Sequence, residues 1–134
     1  MQEKFNEPTL LRPQADRMVD APLVTIDLFT FSEQITNEKS WKKNDRNAIT
    51  IFKTNGISIV LIALHKGAEM IEHTAKGVIS LQVLKGKIMF NTTKESIELA
   101  KGQMLVLHEG IPHSVVAKKK TIFLLTLTTA VVEN

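Results

Sequence analysis

The sequence predicts an all-β domain, a small barrel or sandwich with one short helix near its N-terminus. Three observations carry that prediction. From Ala48 onward the apolar residues recur with period two, glycine-bearing turns interrupt the pattern at near-regular intervals, and a helical cap and spacing occur together only near residue 35. At 134 residues the chain has the length of one domain, and 43% hydrophobic with 23% charged residues is an ordinary balance for a folded protein.

The elements follow in order. Residues 1–22 contain Pro8, Pro13 and Pro22, each of which blocks a continuing helix or a central strand, so an extended N-terminal arm is expected there. Residues 23–134 are expected to form the single barrel domain. Leu23 to Phe29 has the β-branched content of a strand. Thr30 and Glu33 are spaced as a capping box, and Phe31 and Ile35 share a helical face, which predicts a helix over 31–41 with Trp41 anchoring it on the sheet.

Ala48 to Lys53 and Ile57 to His65 read as two strands around Asn55-Gly56, a strong hairpin signal because this pair tolerates positive φ. Lys66-Gly67-Ala68 breaks the second of them. Val78 to Leu84 and Ile88 to Thr92, around Lys85-Gly86-Lys87, read as a second hairpin. Ser96 to Leu99 and Gln103 to Leu107, around Lys101-Gly102, read as a third. Thr121 to Thr129 is a last strand, and Lys118-Lys119-Lys120 before it reads as a solvated turn. Many strands are apolar on both faces, as in a barrel whose outer wall packs on another layer or subunit.

Composition excludes several functions. With no cysteine there is no disulfide framework, no thiol nucleophile and no cysteine-containing zinc site. The net charge of +3 is scattered, aromatics are 5% and tyrosine is absent, so nucleic acid is not an expected partner. There is no apolar run long enough to span a membrane and no leader pattern at the N-terminus, so a cytoplasmic protein is expected. P-loop, dinucleotide-binding and serine-hydrolase motifs are missing. The chemistry-bearing candidates are the four histidines, His65, His73, His108 and His113. Of these His65 ends a strand before Lys66-Gly67 and is expected to be exposed.

Two stretches frame the other three. The first runs from Gly67 through Glu69, Glu72, His73 and Ala75 to Gly86; the second runs from Gly102 through His108, Gly110 and Pro112 to His113. They resemble the two motifs of the cupin superfamily over residues 48–129. The family's first motif is Gly, five residues, His-x-His, three or four residues, Glu, six residues, Gly. Its second is Gly, five residues, Pro-x-Gly, two residues, His, three residues, Asn. The resemblance implies a double-stranded β-helix, or jelly-roll, barrel.

It also implies a place for one divalent metal (Zn, Fe, Mn or Ni), held in such proteins by two histidines and a glutamate of the first motif and a histidine of the second. Here the matching positions are His73, Ala75, Ile79 and His113, so two of the four donors are present. The proline and asparagine of the second motif fall on His108 and Ala117. His108, separated from His113 by Gly110 and Pro112, is the best third donor; Glu69, at an even offset from His73, is another. Gln82 lies at an odd offset from Ile79 and joins the pocket only if a bulge resets the register.

Two functions are therefore expected. One is a small-molecule binding or structural module with a degenerate metal site, its pocket lined by His73, His113, His108 and Gln82. The alternative is a metal-dependent enzyme of dioxygenase, isomerase or decarboxylase type built on His73 and His113. Resemblance to small cupins adds a homodimer, with the N-terminal arm and the segment 23–29 suited to crossing between subunits.

Overall fold

The computed structural model describes residues 20–129. The expected arm over 1–22 lies almost wholly outside them, and Asp20 to Leu23 form an exposed bend. Two helices, α1 (Leu28–Ile35) and α2 (Lys39–Lys43), precede nine strands: β1 (Arg46–Thr54), β2 (Ile57–Leu64), β3 (Glu69–His73), β4 (Ile79–Lys85), β5 (Lys87–Thr92), β6 (Ser96–Ala100), β7 (Met104–Leu107), β8 (His113–Ala117) and β9 (Thr121–Thr128). A five-stranded sheet has the order β1-β2-β9-β4-β7 and faces a four-stranded sheet of order β3-β8-β5-β6. All pairings are antiparallel. This is the all-β jelly roll that the alternation and the resemblance predict.

The sequence reading needs four corrections. Leu23 to Phe29 is not a strand: Asp27 caps α1, accepting from the Thr30 N–H at 3.2 Å, so the helix begins at Leu28 and Thr30 lies inside it. The helix expected over 31–41 is two helices, because the chain turns at Thr36 and restarts at Lys39.

The second and third expected hairpins are not hairpins either. β4 and β5 belong to different sheets, as do β6 and β7. Gly86 is where the chain changes sheet: its φ is +92°, and a Cβ there would stand 2.3 Å from the Lys120 carbonyl oxygen. Local turn signals do not distinguish such a corner from a hairpin, since both need the same glycine conformation. Finally, β3 and β8 were not anticipated. The β1–β2 hairpin is as read, with Gly56 at φ +96°, and Lys118 to Lys120 are an exposed bend.

Two apolar clusters hold the sheets. Between them lie Val60, Ile62, Leu64, Leu81, Val83, Ile88, Phe90, Phe123 and their neighbours. On the outer face of the large sheet Ile35 and Trp41 pack on Ile49, Ile51, Leu61, Ala63 and Ile122. Strand β2 is thus buried on both faces from Val60 to Leu64, which explains why that stretch is apolar throughout. No described helix is long and apolar enough to cross a membrane.

Candidate functional site

His73 and His113 sit opposite one another on β3 and β8, as direct cross-strand partners. A register shift between Met70 and His73 turns the end of β3 so that His73 comes to His113. Their rings are 4.4 Å apart, edge to face, and Phe90 of β5 stacks on His113 at 5.4 Å.

Each ring is anchored in the same way. His73 Nδ1 is 2.8 Å from the Ile71 carbonyl, and His113 Nδ1 is 2.9 Å from the Ile111 carbonyl. A carbonyl can only accept, so Nδ1 carries the proton and Nε2 the lone pair in both neutral rings. His113 is buried, and burial holds its pKa below the usual histidine value, with the neighbouring His73 adding to the effect against the Ile111 carbonyl. Both rings therefore keep Nε2 as a lone-pair donor, His113 buried and His73 half-buried.

The cavity they line is small and apolar. Its other walls are Met70, Ile79, Leu81, Phe90, Val115, Phe123 and Leu125, and its volume is about 10 Å³. That is about the space of one water molecule. Ligand sites for small molecules are typically about 300–1,000 Å³.

The remaining expected site residues stand elsewhere. Gln82 lies between buried Leu81 and Val83, so it faces outward from β4 and does not line the cavity. His108 is in the β7–β8 loop with its side chain 83% exposed, 3.7 Å from Glu109 and away from the cavity. Glu69 opens β3 exposed to solvent, and its backbone carbonyl accepts from Arg46. His65 corrects the expectation of a free surface residue: its ring stacks on Trp41 at 3.4 Å, and its Nε2 is 2.9 Å from the Trp41 carbonyl.

These positions test the metal that the fold implies. Ala75 and Ile79 are both buried in the core cluster, where neither can donate. Among the described residues, no three histidine, aspartate or glutamate side chains converge as a metal site. Two imidazoles do not complete the three or four protein ligands of zinc, nor the oxygen-rich sets of harder ions. The residues present do not fit the metal.

Sequence reasoning missed a second buried polar cluster. Asn47 Nδ2 donates to Glu38 Oε1 and to the Ile35 carbonyl, both at 2.9 Å. Its Oδ1 accepts from Ser40 Oγ at 2.8 Å, and Gln34 Nε2 donates to Glu38 Oε2 at 2.9 Å. This ties the α1–α2 corner to β1. Its only signal in the sequence is a polar residue beside the apolar run of a strand.

No family model and no curated protein matches the chain. Solved structures do. A cupin superfamily protein from Desulfitobacterium hafniense superposes with a TM-score of 0.62 at 16% identity, over 64% of this chain and 79% of that one. A conserved Streptococcus pyogenes protein of unknown function gives 0.68 at 22% identity, over 85% of this chain and 94% of that one. A salicylate 1,2-dioxygenase variant from Pseudoaminobacter salicylatoxidans also gives 0.68, at 17% identity, over 87% of this chain but only 38% of its own length. With two facing antiparallel sheets, the sheet-changing corner at Gly86 and this likeness to solved cupins, the chain has the cupin jelly-roll fold.

Proposed function

We propose that this chain is a cupin-fold binding or structural module in which the metal centre has been replaced by packing. The observation that carries the reading is the composition of the niche beside His73 and His113. Ala75 and Ile79 stand where the resemblance puts donors, and the space left is about 10 Å³. A niche of that size accepts a water molecule hydrogen-bonded to the two Nε2 atoms, not a substrate. The barrel interior then contributes rigidity, and recognition falls to surfaces outside it.

Elemental analysis of the purified protein, followed by a thermal-shift series with Zn, Fe, Mn and Ni ions, tests this. The expected result is substoichiometric metal and an unchanged melting temperature. A site saturated at a hundredfold its dissociation constant adds about 2.7 kcal/mol of stability, which such a series detects easily. Metal retained at one equivalent per chain overturns the reading.

One observation favours a second reading, a metal-dependent small-molecule enzyme using His73 and His113. Both rings are locked through Nδ1 by backbone carbonyls, the arrangement that orients metal-ligating histidines elsewhere. It needs a third donor from outside the described side chains of the niche, and the same metal analysis decides it.

A further inference from the structure

We infer that one end of the barrel, where β2 turns into β3, β4 into β5, β6 into β7 and β8 into β9, binds an anionic lipid surface. The inference stands whatever the barrel interior holds. Because neighbouring strands run antiparallel, these four turns and the start of β1 all fall at that end. Their lysines are scattered in the sequence, and the fold gathers them into one row.

Main-chain hydrogen bonds fix the row. The His65 N–H donates to the Asp45 carbonyl at 2.9 Å, which sets Lys66 beside the end of α2 with Lys42 and Lys43. The Gly67 N–H donates to the Ala117 carbonyl at 2.8 Å, which brings the same turn to the bend at Lys118 to Lys120. The Lys118 N–H donates to the Lys87 carbonyl at 2.9 Å, and Gly86 lies against the Lys120 carbonyl. The Gly102 N–H donates to the Val83 carbonyl at 2.8 Å, so Lys101 comes to Lys85, and both line one groove beside α1.

Acidic groups offset little of this charge. Asp45 pairs with Arg46 and Glu98 with Lys87; Glu69 and Glu33 are the other carboxylates at this end. Among the described residues, no carboxylate is within ion-pair distance of Lys66, Lys85, Lys101 or the 118–120 bend. The opposite end mixes the signs, with Glu72, Glu95 and Glu109 accompanying Lys76 and Lys94.

Two features select the partner. The cations of the row are lysines, and the arginine at this end, Arg46, is held by Asp45 and the Glu69 carbonyl. Gripping single phosphates or base edges favours the planar guanidinium. A diffuse negative layer attracts any nearby ammonium, by about fivefold in affinity for each lysine. The second feature is apolar. The groove of Lys85 and Lys101 is also lined by Leu28, Leu84 and Ile122, and Phe29 stands 72% exposed beside them. An exposed aromatic ring bordered by lysines is the composition of a surface that enters a lipid headgroup layer.

Cosedimentation of the full chain with vesicles of phosphatidylcholine and phosphatidylglycerol, in roughly a 3:1 ratio, tests the inference against vesicles of phosphatidylcholine alone. Binding is expected to the anionic vesicles only, and it should weaken as salt rises from about 0.1 M to about 0.5 M. Lys66→Glu and Lys119→Glu should each weaken it about tenfold, since each removes an attraction and adds a repulsion. Lys94→Glu, at the other end, changes the net charge equally and should leave binding within about twofold. Phe29→Ser should weaken binding several-fold with no change of charge. Hydrogen exchange of the unaltered chain needs no variant: anionic vesicles should protect the amides of the 118–120 bend and not those between β5 and β6. No binding to anionic vesicles, equal binding to neutral ones, or an equal loss from Lys94→Glu overturns the proposal. Retention of duplex DNA through Lys66 and Lys119, without vesicle binding, overturns it as well.

Discussion

Two of the places where the molecule buries polar groups are built differently. Under the helices, Asn47, Glu38, Ser40 and Gln34 bond side chain to side chain, and Asn47 also donates to the Ile35 carbonyl. In the barrel, His73 and His113 are each tied to their own backbone through one nitrogen, and the other walls of the cavity they line are apolar. The first arrangement exists to fix geometry: it pins a helix corner on a strand. The second has the form of a binding site whose other half is missing. Burial alone does not separate the two, since Asn47 and His113 are equally inaccessible. What separates them is whether the side chains bond one another or only their own backbone.

The sharpest break in this comparison is Asn47→Ala. It removes two donors and leaves the Glu38 carboxylate short of a partner in a buried setting, so a loss of about 3 kcal/mol is expected. A shift of the urea midpoint at constant slope measures it. His73→Ala should behave in the opposite way. It removes a half-buried ring whose main bond is to its own chain, and the fold should survive with a loss of about 1 kcal/mol or less. A variant that fails to fold assigns His73 to the architecture and removes the site.

His113→Phe extends the test. An apolar ring of similar size beside Phe90 and Phe123 satisfies the niche without a hydrogen bond, so stability at pH 7.5 (roughly a unit above the ordinary histidine value) should change little. The pH dependence should change more than the stability. Because the folded-state pKa of His113 is lowered, the unfolded chain takes up the proton more readily. Its contribution is fully present above the unfolded value near 6.5 and is lost as pH falls from there through the folded value. Melting temperatures measured downward through that window should decline, and His113→Phe should flatten the decline. The smallest expected effect is at the edge of the first region: Asp27→Ala removes the α1 cap, and a slight loss of melting temperature should accompany it.

Much of the fold was legible because jelly-roll strands bury a fixed alternate set. Val60, Ile62 and Leu64 on β2, and Leu81 and Val83 on β4, recur at every second position and all enter one core. The two histidines could be picked out because the glycine spacings around them match a known pattern. What stayed hidden had physical causes. The sequence around Asp27 and Thr30 offers two caps three residues apart, and only packing of Leu28 and Ile35 on the sheet selects the earlier one. Strand β3, Glu69-Met70-Ile71-Glu72-His73, loses its alternation at the register shift that delivers His73 to its partner. A bulge hides a strand from a period-two reading at the point where it matters for the site.

From the residues alone follow the all-β class, the glycine-bearing turns and the absence of thiol chemistry, because these depend on residue type and spacing; the reduced donor set at Ala75 and Ile79 follows from the resemblance to the cupin motifs. Three features required the tertiary structure: that the corners at Gly86 and Lys101-Gly102 change sheet, that the two imidazoles share a niche the size of one water, and that Met104 and Val106 of the edge strand β7 stay exposed. Each is a relation between segments far apart in the chain, set by which sheet a strand joins, and strand partners are chosen by the packing of the whole core, not by local sequence.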